Sequence, residues 1–276
     1  MSAMTLSDRT SGTTARRGRE EYTSPSPARL QRFASLRMQR HVFFGNRTLL
    51  LNLAAGLLAM TGLAAAVAFS VANSFRSGQP LDDPAFVQEI FLGVVAILFI
   101  CSEWSSGFIY TTHSAIQRPL SFVVAKTMWP ALACAVGTVA MMVVVVPLEN
   151  WLLAGTPYSI SLFDAAVWRQ IAALAFVTVS AVSFAAGIAL ILRNSATALG
   201  LYISIILIAP IIIGQIPVDT AREIAKWLPN NVFNFLTTNA PDAMATLNYP
   251  LLIAAAIAYP LAVLAIGFLR LRRRVV

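Results

Sequence analysis

Residues 127–148 read TMWPALACAVGTVAMMVVVVPL, 22 residues without a charge. Spanning a bilayer's hydrocarbon core as a helix takes about 20 mostly apolar residues. A lipid-spanning strand alternates polar and apolar positions, and this stretch does not. It reads as a transmembrane helix. Five further windows obey the same rule. Thr48–Phe75, Gln170–Leu192, Asn194–Val218 and Ala243–Leu269 are free of charge, and Pro84–Ser102 contains only Glu89. Pro130, Pro210 and Pro260 fall inside these windows, where a membrane helix tolerates them. The expected fold is an all-α integral membrane protein with six transmembrane helices. Composition agrees, since 58% of residues are apolar and 12% are charged. That charged share is about half of a soluble domain's, too small to cover so much apolar surface, so lipid is the solvent.

Placement of Lys and Arg sets the orientation. With the N-terminus inside, the cytoplasmic segments hold 16 of the 20 Lys and Arg residues, including Arg270, Arg272, Arg273 and Arg274 at the C-terminus. The outer segments hold Arg76, Arg169, Arg222 and Lys226. Both termini are therefore expected in the cytoplasm, in a multi-pass protein of the cell membrane. Trp151, Trp168, Trp227 and Tyr249 stand where an outer aromatic belt forms.

Residues 1–29 are rich in Ser, Thr, Arg, Gly and Pro, a composition that predicts a disordered cytoplasmic tail. The remainder, 30–276, forms one six-helix transmembrane domain. Its first part, 30–44, places Leu30, Phe33 and Ala34 on one face beside Arg29, Arg32 and Arg40, which predicts an amphipathic helix on the cytoplasmic membrane surface. Two connections are longer than a turn needs. Residues 103–126 are cytoplasmic. Residues 217–248 are external and carry Ile224, Ala225, Leu228, Phe233 and Leu236 between prolines, which predicts a re-entrant segment of short helices before the sixth span.

Several chemistries are excluded. Neither lysine, Lys126 or Lys226, follows a glycine, so the chain has no phosphate-binding GxxxxGK(S/T) loop. His41 and His113 are far apart and belong to no HExxH motif. Cys101 and Cys134 sit in apolar runs without a CxxC pair, so they read as small apolar fillers and not as metal ligands. The net charge is +8, yet no basic stretch is interleaved with aromatics as a nucleic-acid platform requires. An ion-coupled carrier needs ionisable groups deep in the membrane, and Glu89, Glu103 and Lys126 all stand near span ends. Glu89 reads as a snorkelling or capping carboxylate at the outer end of the second span, or as a contact to cargo.

Residues 103–126 read EWSSGFIYTTHSAIQRPLSFVVAK. Glu103, Gly107, Arg118, Ala125 and Lys126 fit the stretch between the second and third spans of permease subunits in type-2 ABC exporters, which the segment resembles. Phe108 stands in place of the usual Thr, and Gln117 stands where Pro is common, with Pro119 displaced. The resemblance covers the architecture of residues 30–276. It implies a coupling element in which Glu103, Gly107, Ile109, Tyr110, Arg118 and Lys126 meet a separate ATP-binding subunit, Glu103 pairing with Arg118 or Lys126. It further implies a dimer with a second permease subunit, with ATP and Mg bound on the partner ATPase and no cofactor or catalytic residue on this chain. Small residues Gly56, Ala59, Gly62 and Ala66 in the first span suit close helix packing. The cargo of so apolar a path is expected to be amphiphilic. A second reading is a membrane-embedded scaffold or sensor that binds its partner through the basic tail. A membrane enzyme is a third, and it finds no convergent polar groups beyond Glu103, His113 and Arg118.

Overall fold

The computed structural model describes residues 37–77, 87–105, 119–154, 162–163, 165–237 and 248–272, and among them every regular element is a helix. The helices are α1 (Arg37–Gly45), α2 (Arg47–Ser77), α3 (Val87–Ser105), α4 (Pro119–Leu152), α5 (Ala165–Leu192), α6 (Ser195–Ile203), α7 (Ala209–Gly214), α8 (Asp219–Lys226), α9 (Pro229–Thr237) and α10 (Tyr249–Arg272). A π-helical turn, Ser204–Ile208, joins α6 to α7. The tail 1–29, the start of the interfacial segment, residues 106–118 and residues 238–247 lie outside the described residues.

Four stretches are long and apolar enough to cross a membrane: Leu120–Leu152, Val167–Leu192, Ser195–Gly214 and Tyr249–Arg272. They mark the chain as an integral membrane protein, because only helices that satisfy their own backbone cross lipid without a closed barrel. The second window is met by α3, whose described apolar part, Ile90–Ser102, is shorter than a span. Over the first window, α1 and the start of α2 pass the test together but are bent by 70°. Asn46 makes that bend. Its side-chain Oδ1 accepts the Leu49 N–H at 3.1 Å, which caps α2 and stops α1 from running on.

Local chemistry also sets where the other spans begin. Pro119 opens α4, a position where its missing N–H costs nothing. The third span's helix therefore starts seven residues before Lys126 instead of at it. That carries Lys126 about two turns into the helix. Between α5 and α6, Arg193 adopts φ 58° and its N–H closes the helix on Ala189 O at 2.8 Å. Asn194 then caps α6, accepting the Thr197 N–H at 3.2 Å. Within the fifth span, Pro210 has no N–H for the preceding turn, and the helix widens into the π turn just before it.

The bundle is built around α5. Of its span 67% is buried, against 22% for α10 and 17% for the fifth span. It packs against α3, α4 and α10. Ala181, Ala185, Ala186 and Ala189 are fully buried, and small residues are what let membrane helices approach closely. A Cβ on Gly187 would lie 3.0 Å from the Leu264 backbone nitrogen, and one on Gly267 would lie 3.0 Å from Leu190 Cβ. The hydroxyls of Thr138 and Thr178 meet at 3.3 Å and tie α4 to α5. In the first span, by contrast, an added Cβ on Gly56 or Gly62 meets nothing within 4 Å among the described residues.

The segment expected to be external contains two short helices, α8 and α9. Val232, Phe233 and Leu236 of α9 are buried in the core, against α5 and α10. Asn231 Nδ2 donates to Ala225 O at 2.7 Å and the Tyr259 hydroxyl donates to Trp227 O, so the pair is fixed to α10.

Candidate functional site

Lys126 is the residue around which one end of the bundle is organised. Its side chain is 0% exposed. An ammonium taken out of water loses several kcal/mol of hydration, so it persists only where the surroundings return that energy. Three aromatic rings surround it. Its Nζ lies 5.7 Å from the Phe99 ring centre, 5.2 Å from Trp104 and 5.4 Å from Phe122. All three distances fall inside the range of a cation–π attraction, worth about 2 kcal/mol when desolvated. Phe99 and Trp104 come from α3 and Phe122 from α4, so the cage clamps together the two helices that flank residues 106–118.

The cage is continuous with the neighbouring elements. The Arg193 guanidinium carbon lies 5.8 Å from the centre of the same Trp104 ring. Arg193 Nη2 donates to Arg270 O at 3.5 Å, and Arg270 Nη1 donates to Ile191 O at 3.2 Å. These crossed bonds tie the end of α5 to the end of α10. On the other side, Phe43 of α1 meets Phe99 edge-on at 4.9 Å, and Phe44 meets Trp129 of α4 at 6.0 Å. Gln39, one helical turn before Phe43, is also 0% exposed. Among the described residues, neither its amide oxygen nor its nitrogen has a hydrogen-bond partner. A buried amide ordinarily finds a hydrogen-bond partner, so Gln39 is a polar group that α1 keeps turned into this end of the bundle.

Of the residues singled out in the sequence, the structure places Lys126 at the centre of this cluster. Glu103 lies in the last turn of α3 and Glu89 in its first, and the described side chains do not include theirs. Gly107, Ile109, Tyr110 and Arg118 lie outside the described residues, as does the Glu103 partnership with Arg118. The sequence reading missed Trp104, Arg193, Gln39 and Arg270. Trp104 directly follows Glu103, and Arg193 sits between two apolar windows, so both carried a signal. Gln39 and Arg270 carried none beyond their basic neighbourhoods. Among the described residues, no three His, Cys, Asp or Glu side chains converge as metal ligands would. Comparison with protein-family models, with curated proteins and with solved structures finds no match.

Proposed function

We propose that this chain is the permease subunit of an ATP-driven exporter of the type-2 ABC class, coupled through residues 103–126 to a separate ATP-binding subunit. In this reading the chain has six spans with both termini in the cytoplasm of the cell membrane, and two copies or close paralogues enclose a path for an amphiphilic cargo. ATP and Mg belong to the partner ATPase, and this chain performs no catalysis. The observation that carries the reading is the aromatic cage around Lys126. A coupling segment must move as one body with the helices on either side of it. A caged ammonium joining α3 to α4 at the base of residues 106–118 supplies that rigidity. Among the described residues, a Cβ added at Gly56 or at Gly62 of α2 would meet nothing within 4 Å, which leaves room for a second subunit at those positions.

The test begins with the tagged chain co-expressed with an ATP-binding subunit of the type-2 ABC class from the same genome and extracted in mild detergent. A stoichiometric complex with vanadate-sensitive ATP hydrolysis is expected. Lys126→Met keeps the apolar stem and removes the charge, and it is compared with the parent chain at matched membrane insertion and complex yield, so that a lower stability is not mistaken for lost coupling. Cargo transport per ATP hydrolysed is expected to fall at least tenfold. A chain that purifies without any ATPase, or a Lys126→Met variant with full coupling, would overturn the proposal.

A further inference from the structure

At the opposite end of α5 from Arg193, helices α5, α9 and α10 line a partly open cavity of about 220 Å³. It is lined by Arg169, Ala173, Phe176, Leu236, Tyr249 and Ile253. Arg169 and Arg193 are separated by 24 residues, or about 36 Å of helix, so they bracket a bilayer's hydrocarbon core. Trp168 lies beside the cavity, exposed, with its indole N–H donating to Leu162 O at 2.8 Å. That is the posture of a side chain at headgroup level.

The lining is amphipathic in a definite order. Leu236 is buried at its base, Phe176 and Ile253 are half-buried, and Arg169 and Tyr249 are exposed at its rim. Among the described residues no carboxylate pairs with Arg169. A guanidinium presents a fork of N–H donors that fits the oxygens of a phosphate. The volume falls below the roughly 300 Å³ of a drug-sized site, but it admits part of one aliphatic chain. We infer that this cavity binds an anionic phospholipid of the adjoining leaflet, its phosphate on Arg169 and one acyl chain against Phe176, Leu236 and Ile253. A bound lipid here would wedge α9 against α5 and α10 and so help fix the α8–α9 pair. The inference holds whether or not the chain is a permease.

Native mass spectrometry of the full chain, purified in neutral detergent and titrated with phosphatidylglycerol, tests this directly. The parent chain should retain one phosphatidylglycerol in preference to phosphatidylcholine. Arg169→Gln should weaken that retention by about tenfold or more, the scale of a lost hydrogen bond to a charged group, and Arg169→Lys should weaken it less. Ala173→Phe fills the cavity while leaving the charge, and should abolish retention. Glycerol phosphate, the headgroup without its tails, should not compete. Retention unchanged in Arg169→Gln would overturn the inference, as would displacement by glycerol phosphate as effective as displacement by the lipid. Because Arg169 is exposed, Arg169→Gln folds, and it decides the matter even if Ala173→Phe does not.

Discussion

A single side chain shows how burial alters the meaning of a charge. Read along the sequence, Lys126 stands at the edge of an apolar window, and an edge lysine reaches water or headgroups. In the folded chain it is sealed between α3 and α4. The difference is invisible in the sequence because both helices are apolar all round, so periodicity does not say which face of either turns inward. Phe99, Trp104 and Phe122 are legible as aromatics, but their convergence is not. Gly93 is the opposite case, a residue whose importance lies in what it lacks. A Cβ there would lie 2.2 Å from Tyr202 Cζ, and Tyr202 is itself 0% exposed. The ring has nowhere to retreat, so Gly93→Ala must part α3 from α6. The expected cost is about 1–3 kcal/mol, the usual penalty of overpacking. Thermal unfolding in detergent reads it as a lowered midpoint, and combining the change with Tyr202→Leu should recover part of the loss. An unchanged midpoint in Gly93→Ala would mean that α3 and α6 are not in this contact.

At the scale of the element, length and apolarity were enough to find the helices, and chemistry at single positions decided where they break. The windows at Gln170–Leu192 and Ala243–Leu269 correspond to α5 and α10 with modest shifts at their ends. The window at Asn194–Val218 does not form one regular helix. It holds α6, a π turn and α7, ending at Gly214, because Pro210 deprives the preceding turn of a donor and crowds its carbonyl. Apolar content reports none of this, since a proline counts as neither charge nor turn inside a membrane window. Pro210→Ala should let a regular α-helix close through the fifth span. The new backbone N–H at that position should then exchange slowly with deuterium, and the Ser204–Ile208 amides should gain protection. If the span serves as a moving wall of a transport path, the stiffened variant should also export more slowly. Unchanged exchange across Ser204–Ile208 would show that the π turn has a cause other than the proline.

For the whole molecule, the charge pattern and the bundle supply independent arguments that can be joined. The structure gathers Lys126, Arg193 and Arg270 at one end and Arg169, Trp168 and Tyr249 at the other. In the proposed topology, which rests on the positive-inside asymmetry of the sequence, the Lys126 end faces the cytoplasm. This assignment makes a chemical prediction about thiols. Cys101 is 3% exposed and Cys134 is 0% exposed, so neither reacts with an impermeant maleimide, and single cysteines can be introduced without removing them. A cysteine replacing Ser159 should be labelled on intact cells. A cysteine replacing Ser114, in the proposed coupling segment, should be labelled only after the membrane is opened. The signal from each should differ between the two conditions by at least tenfold, since the bilayer excludes the reagent. The reverse pattern would put the Lys126 end outside, beyond the reach of any cytoplasmic ATPase. It would remove the permease reading while leaving the helix bundle and the lipid cavity as they stand.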